Sequence, residues 1–143
     1  MIRTALVEPD DTLRRELAET LEVEEDFQIA FEADSAELAL HRLTIHPVNA
    51  LLVDLDLPEM SGTEFITEVR TAFPRMILLV NTVYEDRNTV LTALRRGASG
   101  YILKGKNALD IAQSTREAIL GGCPISPGHR QMDHGILPGT IAA

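Results

Sequence analysis

Five short apolar runs alternate along the chain with five amphipathic stretches. In the amphipathic stretches, apolar residues recur at the spacing of a helix that buries one face. A chain that alternates strands and helices in this way predicts a parallel sheet covered by helices on both faces. The predicted strands are residues 2–7, 27–33, 50–53, 76–80 and 100–103.

The composition of the chain limits its partners and its compartment. A net charge of −9 over 143 residues argues against direct binding of nucleic acid or of an anionic membrane surface. The single cysteine, Cys123, fits a reducing compartment. No signal peptide is evident, and no apolar run approaches the ~20 residues of a membrane span. We therefore expect a cytoplasmic protein with no membrane segment.

The last part of the sequence differs from the rest. After Gly121 and Gly122, which we expect to end the fifth helix, prolines and glycines are frequent and the apolar periodicity is lost. We therefore expect one domain over residues 1–122 and a tail or truncated linker over residues 123–143. His129 and His134 have a loose metal-like spacing in this tail, but we expect no metal site there.

The third predicted strand leads directly into a carboxylate. Residues 50–53 are all apolar, which is typical of a strand buried on both faces, and Asp54 follows at once. An acidic group at that position is costly unless it has a function. Ligands bind at the carboxyl ends of strands in open α/β sheets. Asp54 is therefore the main candidate for a functional residue.

Other polar residues follow the neighbouring strands. Because the carboxyl ends of parallel strands meet at one edge of the sheet, we expect carboxylates, a hydroxyl and an ammonium in one shallow cleft. The residues expected there are Glu8, Asp10, Asp54, Asp56, Thr82 and Lys104.

This set of side chains predicts phosphoryl transfer. Clustered carboxylates raise one another's pKa, and Mg²⁺ relieves their repulsion while accepting phosphate oxygens as ligands. A carboxylate can itself attack phosphorus, which makes Asp54 the predicted nucleophile. Lys104 and the metal would neutralise the phosphoryl oxygens, and Thr82 would donate a hydrogen bond to one of them.

At these residues the chain resembles the receiver domain of bacterial two-component response regulators. The matching features are the D-x-x-x-P-x-M-x-G motif that begins at Asp54, Thr82 at the end of the fourth strand, and the GASGYILK run that ends at Lys104. The resemblance covers residues 2–121. The RGASGYILK run and the later GGCPISP are most similar to receivers of the NarL/FixJ (LuxR) type, which usually precede a helix-turn-helix DNA-binding domain.

The resemblance implies a flavodoxin-like (βα)5 three-layer sandwich with strand order 2-1-3-4-5. It further implies a sensor histidine kinase as partner, phosphorylation of Asp54 with Mg²⁺, and a switch in which Thr82 and Tyr101 move together. A homodimer and control of transcription through a DNA-binding domain absent from this chain are also implied, with no enzyme activity. The implied metal ligands are Glu8, Asp10, Asp54 and Asp56.

The chain departs from the family pattern at the metal site. Two adjacent acidic residues normally follow the first strand, whereas here the pair reads Glu8-Pro9. Asp10 could take the place of the missing ligand, or Glu8 and Asp10 could only cap the first helix. A pseudo-receiver that is never phosphorylated and serves as an interaction module is therefore a rival hypothesis. An enzyme or flavin carrier on the same fold is disfavoured because no glycine-rich phosphate loop is present.

Overall fold

A computed structural model describes residues 1–105 and 108–125 of the chain. In this part of the chain five strands alternate with five helices, as predicted. The elements are β1 (Ile2–Val7), α1 (Asp11–Glu22), β2 (Phe27–Ala33), α2 (Ala36–Leu43), β3 (Ala50–Val53), α3 (Gly62–Ala72), β4 (Ile77–Thr82), α4 (Arg87–Arg96), β5 (Gly100–Leu103) and α5 (Ala108–Ile119).

The strands form one parallel sheet in the order β2-β1-β3-β4-β5. This confirms the predicted flavodoxin-like fold and its strand order. The core divides into two clusters, one on each face of the sheet, and consecutive side chains of β3 alternate between them: Leu51 and Val53 belong to one cluster and Leu52 to the other. Helices cover both faces, so β3 is buried along its whole length, as its unbroken apolar sequence predicts.

Short polar side chains set where the helices begin. Ser35, Ser61 and Asp86 each accept a hydrogen bond from the backbone N–H three residues further on, which satisfies a donor that the first helical turn leaves unpaired. Gly97 ends α4 with a φ of 123°. Asn107, expected to cap α5, and the tail beyond residue 125 lie outside the described residues.

The start of one strand and the exposure of one helix residue differ from the sequence-based expectation. The fourth strand begins at Ile77, one residue later than predicted, and ends at Thr82, where Asn81 and Thr82 pair with β5. The apolar spacing of α5 predicts that Ile119 is buried, but it is 41% exposed because it lies in the last turn of that helix. None of the helices in the described part of the chain has the length and apolar character that a membrane span requires.

The first residue of α3 packs directly against the end of β3. The Gly62 N–H donates to the carbonyl oxygen of Leu55 at 3.1 Å. A Cβ at Gly62 would lie 2.5 Å from the Cα of Leu55 and 2.7 Å from the carbonyl oxygen of Asp54. Only glycine admits this approach, so the start of α3 packs against the backbone of Asp54 and Leu55.

We expect Gly62→Ala to lower the free energy of unfolding by about 2–3 kcal/mol, because the new methyl group meets backbone atoms that cannot rotate away. Urea denaturation followed by circular dichroism measures the change. Thr71→Ala, at an exposed position of the same helix, is the control and should shift stability by no more than about 0.5 kcal/mol. Equal denaturation midpoints for the two variants would contradict the close packing.

Candidate functional site

The carboxyl ends of four neighbouring strands bring the predicted polar residues to one edge of the sheet. Glu8 follows β1, Asp54 follows β3, Thr82 ends β4 and Lys104 follows β5. The Lys104 Nζ lies 2.8 Å from Oε1 of Glu8 and 2.9 Å from Oδ2 of Asp54. Glu8 and Asp54 are each 5% exposed. One ammonium group therefore sits between two buried carboxylates.

The charges in this triad are not balanced. Burial raises the pKa of Glu8, and repulsion by Asp54 adds to it, while hydrogen bonds from Lys104 and from the Asp10 N–H oppose the rise. Burial lowers the pKa of Lys104, but its bonds to the two carboxylates outweigh burial and raise that pKa overall. Lys104 is thus firmly protonated, and this single ammonium faces two carboxylates.

Thr82 places a hydroxyl without a partner beside this triad. The residue is 0% exposed, and its Oγ1 atom makes no hydrogen bond. A buried hydroxyl left unpaired costs about 1–3 kcal/mol, so such groups are uncommon in folded proteins. The hydroxyl is therefore available to a group that enters the site.

The two remaining acidic candidates are engaged elsewhere. The Asp10 carboxylate accepts a hydrogen bond from the Leu13 N–H at 3.0 Å and caps α1. The exposed Asp56 carboxylate accepts from the Tyr84 hydroxyl at 2.9 and 3.0 Å. Within residues 1–105 and 108–125, no three His, Cys, Asp or Glu side chains form a group that could hold a metal ion. Of the four predicted metal ligands, Glu8 and Asp54 share the Lys104 ammonium, whereas the carboxylates of Asp10 and Asp56 bind other groups.

Two carboxylates still meet the smallest requirement of magnesium. Mg²⁺ keeps several waters and is commonly held by one or two carboxylates together with phosphate oxygens. Glu8 and Asp54 supply these two carboxylates, and the repulsion between them favours a cation. Pro9 offers no side-chain oxygen at the position next to Glu8. The donor set therefore fits Mg²⁺, but with fewer protein ligands than the sequence led us to expect.

Tyr101 lies inside the domain. Its ring is 0% exposed and belongs to the same apolar cluster as Val80, Val90 and Ala93. Its hydroxyl donates to the carbonyl oxygen of Tyr84 at 2.8 Å. Burial raises the pKa of Tyr101 well above its usual range, so the hydroxyl stays protonated and remains a donor.

Tyr84 was not among the residues singled out from the sequence. Its hydroxyl reaches Asp56 in the loop after Asp54, and its carbonyl oxygen accepts from Tyr101. The bond with Asp56 raises the pKa of Tyr84. The sequence does contain one indication that Tyr84 lies near the site. It follows Thr82 by two residues, in a loop at the same edge of the sheet.

Comparison with known proteins decides the family. Residues 4–116 match the family described as "Response regulator receiver domain". The chain belongs to this family. It is 24% identical to the transcriptional regulatory protein DegU of Brevibacillus brevis over 126 residues, which are 88% of this chain and 53% of that protein. It is 26% identical to the DNA-binding transcriptional activator DevR/DosR of Mycobacterium tuberculosis over 121 residues, 85% of this chain and 56% of the activator.

A solved structure supports the same conclusion. The chain is similar to a two-component response regulator of the LuxR family from Aurantimonas, with 26% identity, a TM-score of 0.82, and coverage of 90% of this chain and 92% of that one. The receiver spans about half the length of the curated relatives it matches. The resemblance to NarL/FixJ-type receivers is thereby confirmed.

Membership of the family defines a general role. Receiver domains belong to two-component response regulators, which are generally regulators of transcription rather than catalysts. Receivers interact with sensor kinases, often carry DNA-binding output domains, and typically bind Mg²⁺ at an acidic phosphorylation site.

Proposed function

We propose that this receiver accepts a phosphoryl group from a sensor histidine kinase on Asp54 and thereby switches its protein contacts. The observation that carries the proposal is the Lys104 ammonium shared by two buried carboxylates, next to a buried hydroxyl with no partner. A dianionic phosphoryl group needs a cation and a hydrogen-bond donor, and this edge of the sheet offers both.

In the proposed reaction, a carboxylate oxygen of Asp54 attacks the phosphorus atom of a phosphohistidine. The new bond joins Asp54 to phosphorus, and the bond from phosphorus to the imidazole nitrogen breaks and leaves its electron pair on that nitrogen. Lys104 exchanges its contact with Asp54 for a phosphoryl oxygen, and Thr82 donates to a second oxygen. Because both groups are already positioned, little reorganisation accompanies the transfer.

Magnesium has a defined place in this proposal. Glu8 and Asp54 would hold the ion, which when bound supplies positive charge to the phosphoryl oxygens. The protein contributes a site from which bulk water is largely excluded, since both carboxylates are almost fully buried.

The output of the switch is assigned to Thr82 and Tyr101. In this proposal Thr82 moves toward the phosphoryl group and the ring of Tyr101 follows into the space that Thr82 leaves. The two residues lie on neighbouring strands, and both are fully buried. Such a local change in charge can bias the surface formed by α4, β5 and α5. We assign residues 1–122 to the receiver and residues 123–143 to a linker. Contact with DNA would then require an output domain, and homodimerisation is the second output that we propose.

Incubation with acetyl phosphate and Mg²⁺, followed by intact-mass spectrometry, tests the proposal. We expect the mass of one phosphoryl group, lost again on treatment with hydroxylamine, which cleaves acyl phosphates. An unchanged mass in the presence of acetyl phosphate would contradict phosphorylation.

The rival is a pseudo-receiver that acts as an interaction module without phosphorylation. Pro9 favours it, because the residue next to Glu8 cannot ligate a metal through its side chain. The same incubation separates the two functions, since a pseudo-receiver keeps its mass and its oligomeric state with and without acetyl phosphate.

Replacing Pro9 with Asp should strengthen Mg²⁺ binding roughly tenfold, because a third carboxylate joins Glu8 and Asp54. Isothermal titration with MgCl₂ measures the affinity. Pro9→Asn is the matched control, because asparagine has nearly the size of aspartate but carries no charge. It should give a smaller gain in Mg²⁺ affinity. Equal affinities for the wild type and Pro9→Asp would place residue 9 away from the ion.

A further inference from the structure

The last described residues return to the sheet after α5. The chain turns at Gly121, and residues 123–125, here called the edge segment, run beside β5. The Pro124 carbonyl oxygen accepts a hydrogen bond from the Tyr101 N–H at 2.9 Å, and Ile125 forms a parallel β-bridge with Tyr101. Pro124 is buried and Ile125 is 8% exposed. The edge segment therefore covers the side of β5 that does not face β4.

Gly100 fits this contact closely. A Cβ at Gly100 would lie 2.6 Å from the carbonyl oxygen and 2.8 Å from the Cγ of Pro124. A side chain at position 100 would push the edge segment off the strand. Seating of the edge segment thus depends on a specific close approach as well as on burial of Ile125.

Tyr101 joins the edge segment to the candidate site. While its N–H holds Pro124, its hydroxyl holds the carbonyl oxygen of Tyr84. The Tyr84 hydroxyl in turn holds Asp56, whose N–H donates to Oδ1 of Asp54 at 3.2 Å. Successive hydrogen bonds through Tyr101, Tyr84 and Asp56 therefore connect the edge segment to Asp54, the proposed phosphoacceptor.

We propose that seating of the edge segment on β5 is thermodynamically linked to occupancy of the Asp54 site. The edge segment would then carry the state of the site to the chain beyond residue 125. This inference rests on the proposed function. It adds a route by which phosphorylation of Asp54 affects the chain that follows the domain. Tyr101 connects the two ends of the link, because its side chain is fully buried in the domain while its N–H binds the carbonyl oxygen of Pro124.

The direction of the effect follows from Thr82. A phosphoryl oxygen gives the Thr82 hydroxyl the partner that it lacks and holds it toward Asp54. Thr82 and Tyr101 lie on the same face of the sheet, because Thr82 is two residues beyond Val80, which pairs with Tyr101. Fixing Thr82 therefore favours the buried position of the Tyr101 ring, which the hydroxyl bond to Tyr84 anchors. Occupancy of the site should therefore tighten the edge segment, and by linkage a seated edge segment should strengthen binding at the site by the same factor.

Amide hydrogen exchange measured by NMR on the full chain tests the link. With trifluoroberyllate and Mg²⁺, the Tyr101 amide should exchange at least about fivefold more slowly. Fluorine NMR of the same sample shows whether the probe occupies the site. If the probe is bound and the exchange of Tyr101 is unchanged, the link is refuted and the proposed function stands. If the probe does not bind, the proposed function fails, and the link is decided by the ligand-free experiment below.

Ile125→Ser tests the link without any ligand. Loss of the buried side chain should unseat the edge segment and speed the exchange of both the Tyr101 and the Asp56 amides by at least about fivefold. Val23→Ser, at a position that is 77% exposed, is the control. Faster exchange at Tyr101 with no change at Asp56 overturns the link.

A second variant covers the case in which Ile125→Ser unfolds. Tyr101→Phe keeps the ring and the backbone N–H that binds Pro124, so the edge segment stays seated. It removes the hydroxyl bond to Tyr84 that anchors the ring and continues the hydrogen bonds to Asp56 and Asp54. Trifluoroberyllate should then slow the amide at position 101 by less than about twofold, compared with fivefold or more in the wild type. An undiminished response in Tyr101→Phe would exclude this route.

Discussion

We expect Asp54→Asn to abolish the incorporation of phosphoryl groups from acetyl phosphate and to remain folded. The amide is nearly the same size as the carboxylate but is a far weaker nucleophile, so the covalent step is lost rather than slowed. The fold survives because Lys104 keeps the Glu8 carboxylate as a partner when the charge of Asp54 is removed. Intact-mass spectrometry and circular dichroism measure the two outcomes.

Asp56→Asn is the matched control, because it removes a carboxylate of the same loop that is exposed and bonded to Tyr84. This variant should gain the same mass as the wild type. A phosphoryl group that persists in Asp54→Asn, or that is lost only in Asp56→Asn, would place the nucleophile elsewhere in the loop.

We expect Lys104→Met to lower the free energy of unfolding by about 2–4 kcal/mol near neutral pH. Methionine keeps most of the length and apolar volume of the lysine but leaves Glu8 and Asp54 together without their shared cation. Removing one partner of a buried ionic group is costly because the remaining charges stay desolvated. Urea denaturation of the wild type and the variant measures the loss.

The loss in Lys104→Met should depend on pH. Burial already raises the Glu8 pKa above its ordinary value of 4.5, and Lys104 opposes that rise. Without Lys104 the folded-state pKa rises further. A carboxyl whose pKa is higher in the folded state binds its proton more tightly there. The destabilisation is therefore absent below the unfolded pKa and grows as pH rises through the folded pKa.

The free energy of unfolding of Lys104→Met should accordingly move closer to that of the wild type as the pH is lowered from about 8 to about 5. The double variant Glu8→Gln/Lys104→Met should recover much of the loss at the higher pH, because only one carboxylate remains. A difference between wild type and Lys104→Met that does not change with pH would show that lost packing, rather than charge, causes the destabilisation.

Most of the fold could be predicted from the sequence because local signals agreed with the global arrangement. The unbroken apolar run at β3 and the helical spacing of apolar residues in the amphipathic stretches each predict an element before any long-range contact is considered. The meeting of Glu8, Asp54 and Lys104 also followed from topology, since the ends of neighbouring parallel strands share one edge.

The details that could not be predicted depend on side-chain orientation, loop conformation and contacts between distant parts of the chain. Asp10 had two interpretations in the sequence, as a metal ligand or as a helix cap, and the structure shows it as the cap. The reach of Tyr84 to Asp56 depends on loop geometry that no periodic pattern encodes. The return of Pro124 and Ile125 to β5 joins positions distant in sequence, in a stretch whose composition resembled a loop.

The central claim is that Asp54, Thr82 and Lys104 together form a pocket for a phosphoryl group. Its most direct test is fluorine NMR of the protein with trifluoroberyllate and Mg²⁺. We predict a resonance of bound trifluoroberyllate in the wild type and in Asp56→Asn, and its absence in Asp54→Asn. No bound resonance in the wild type at saturating Mg²⁺, or a bound resonance that survives Asp54→Asn, would contradict the claim.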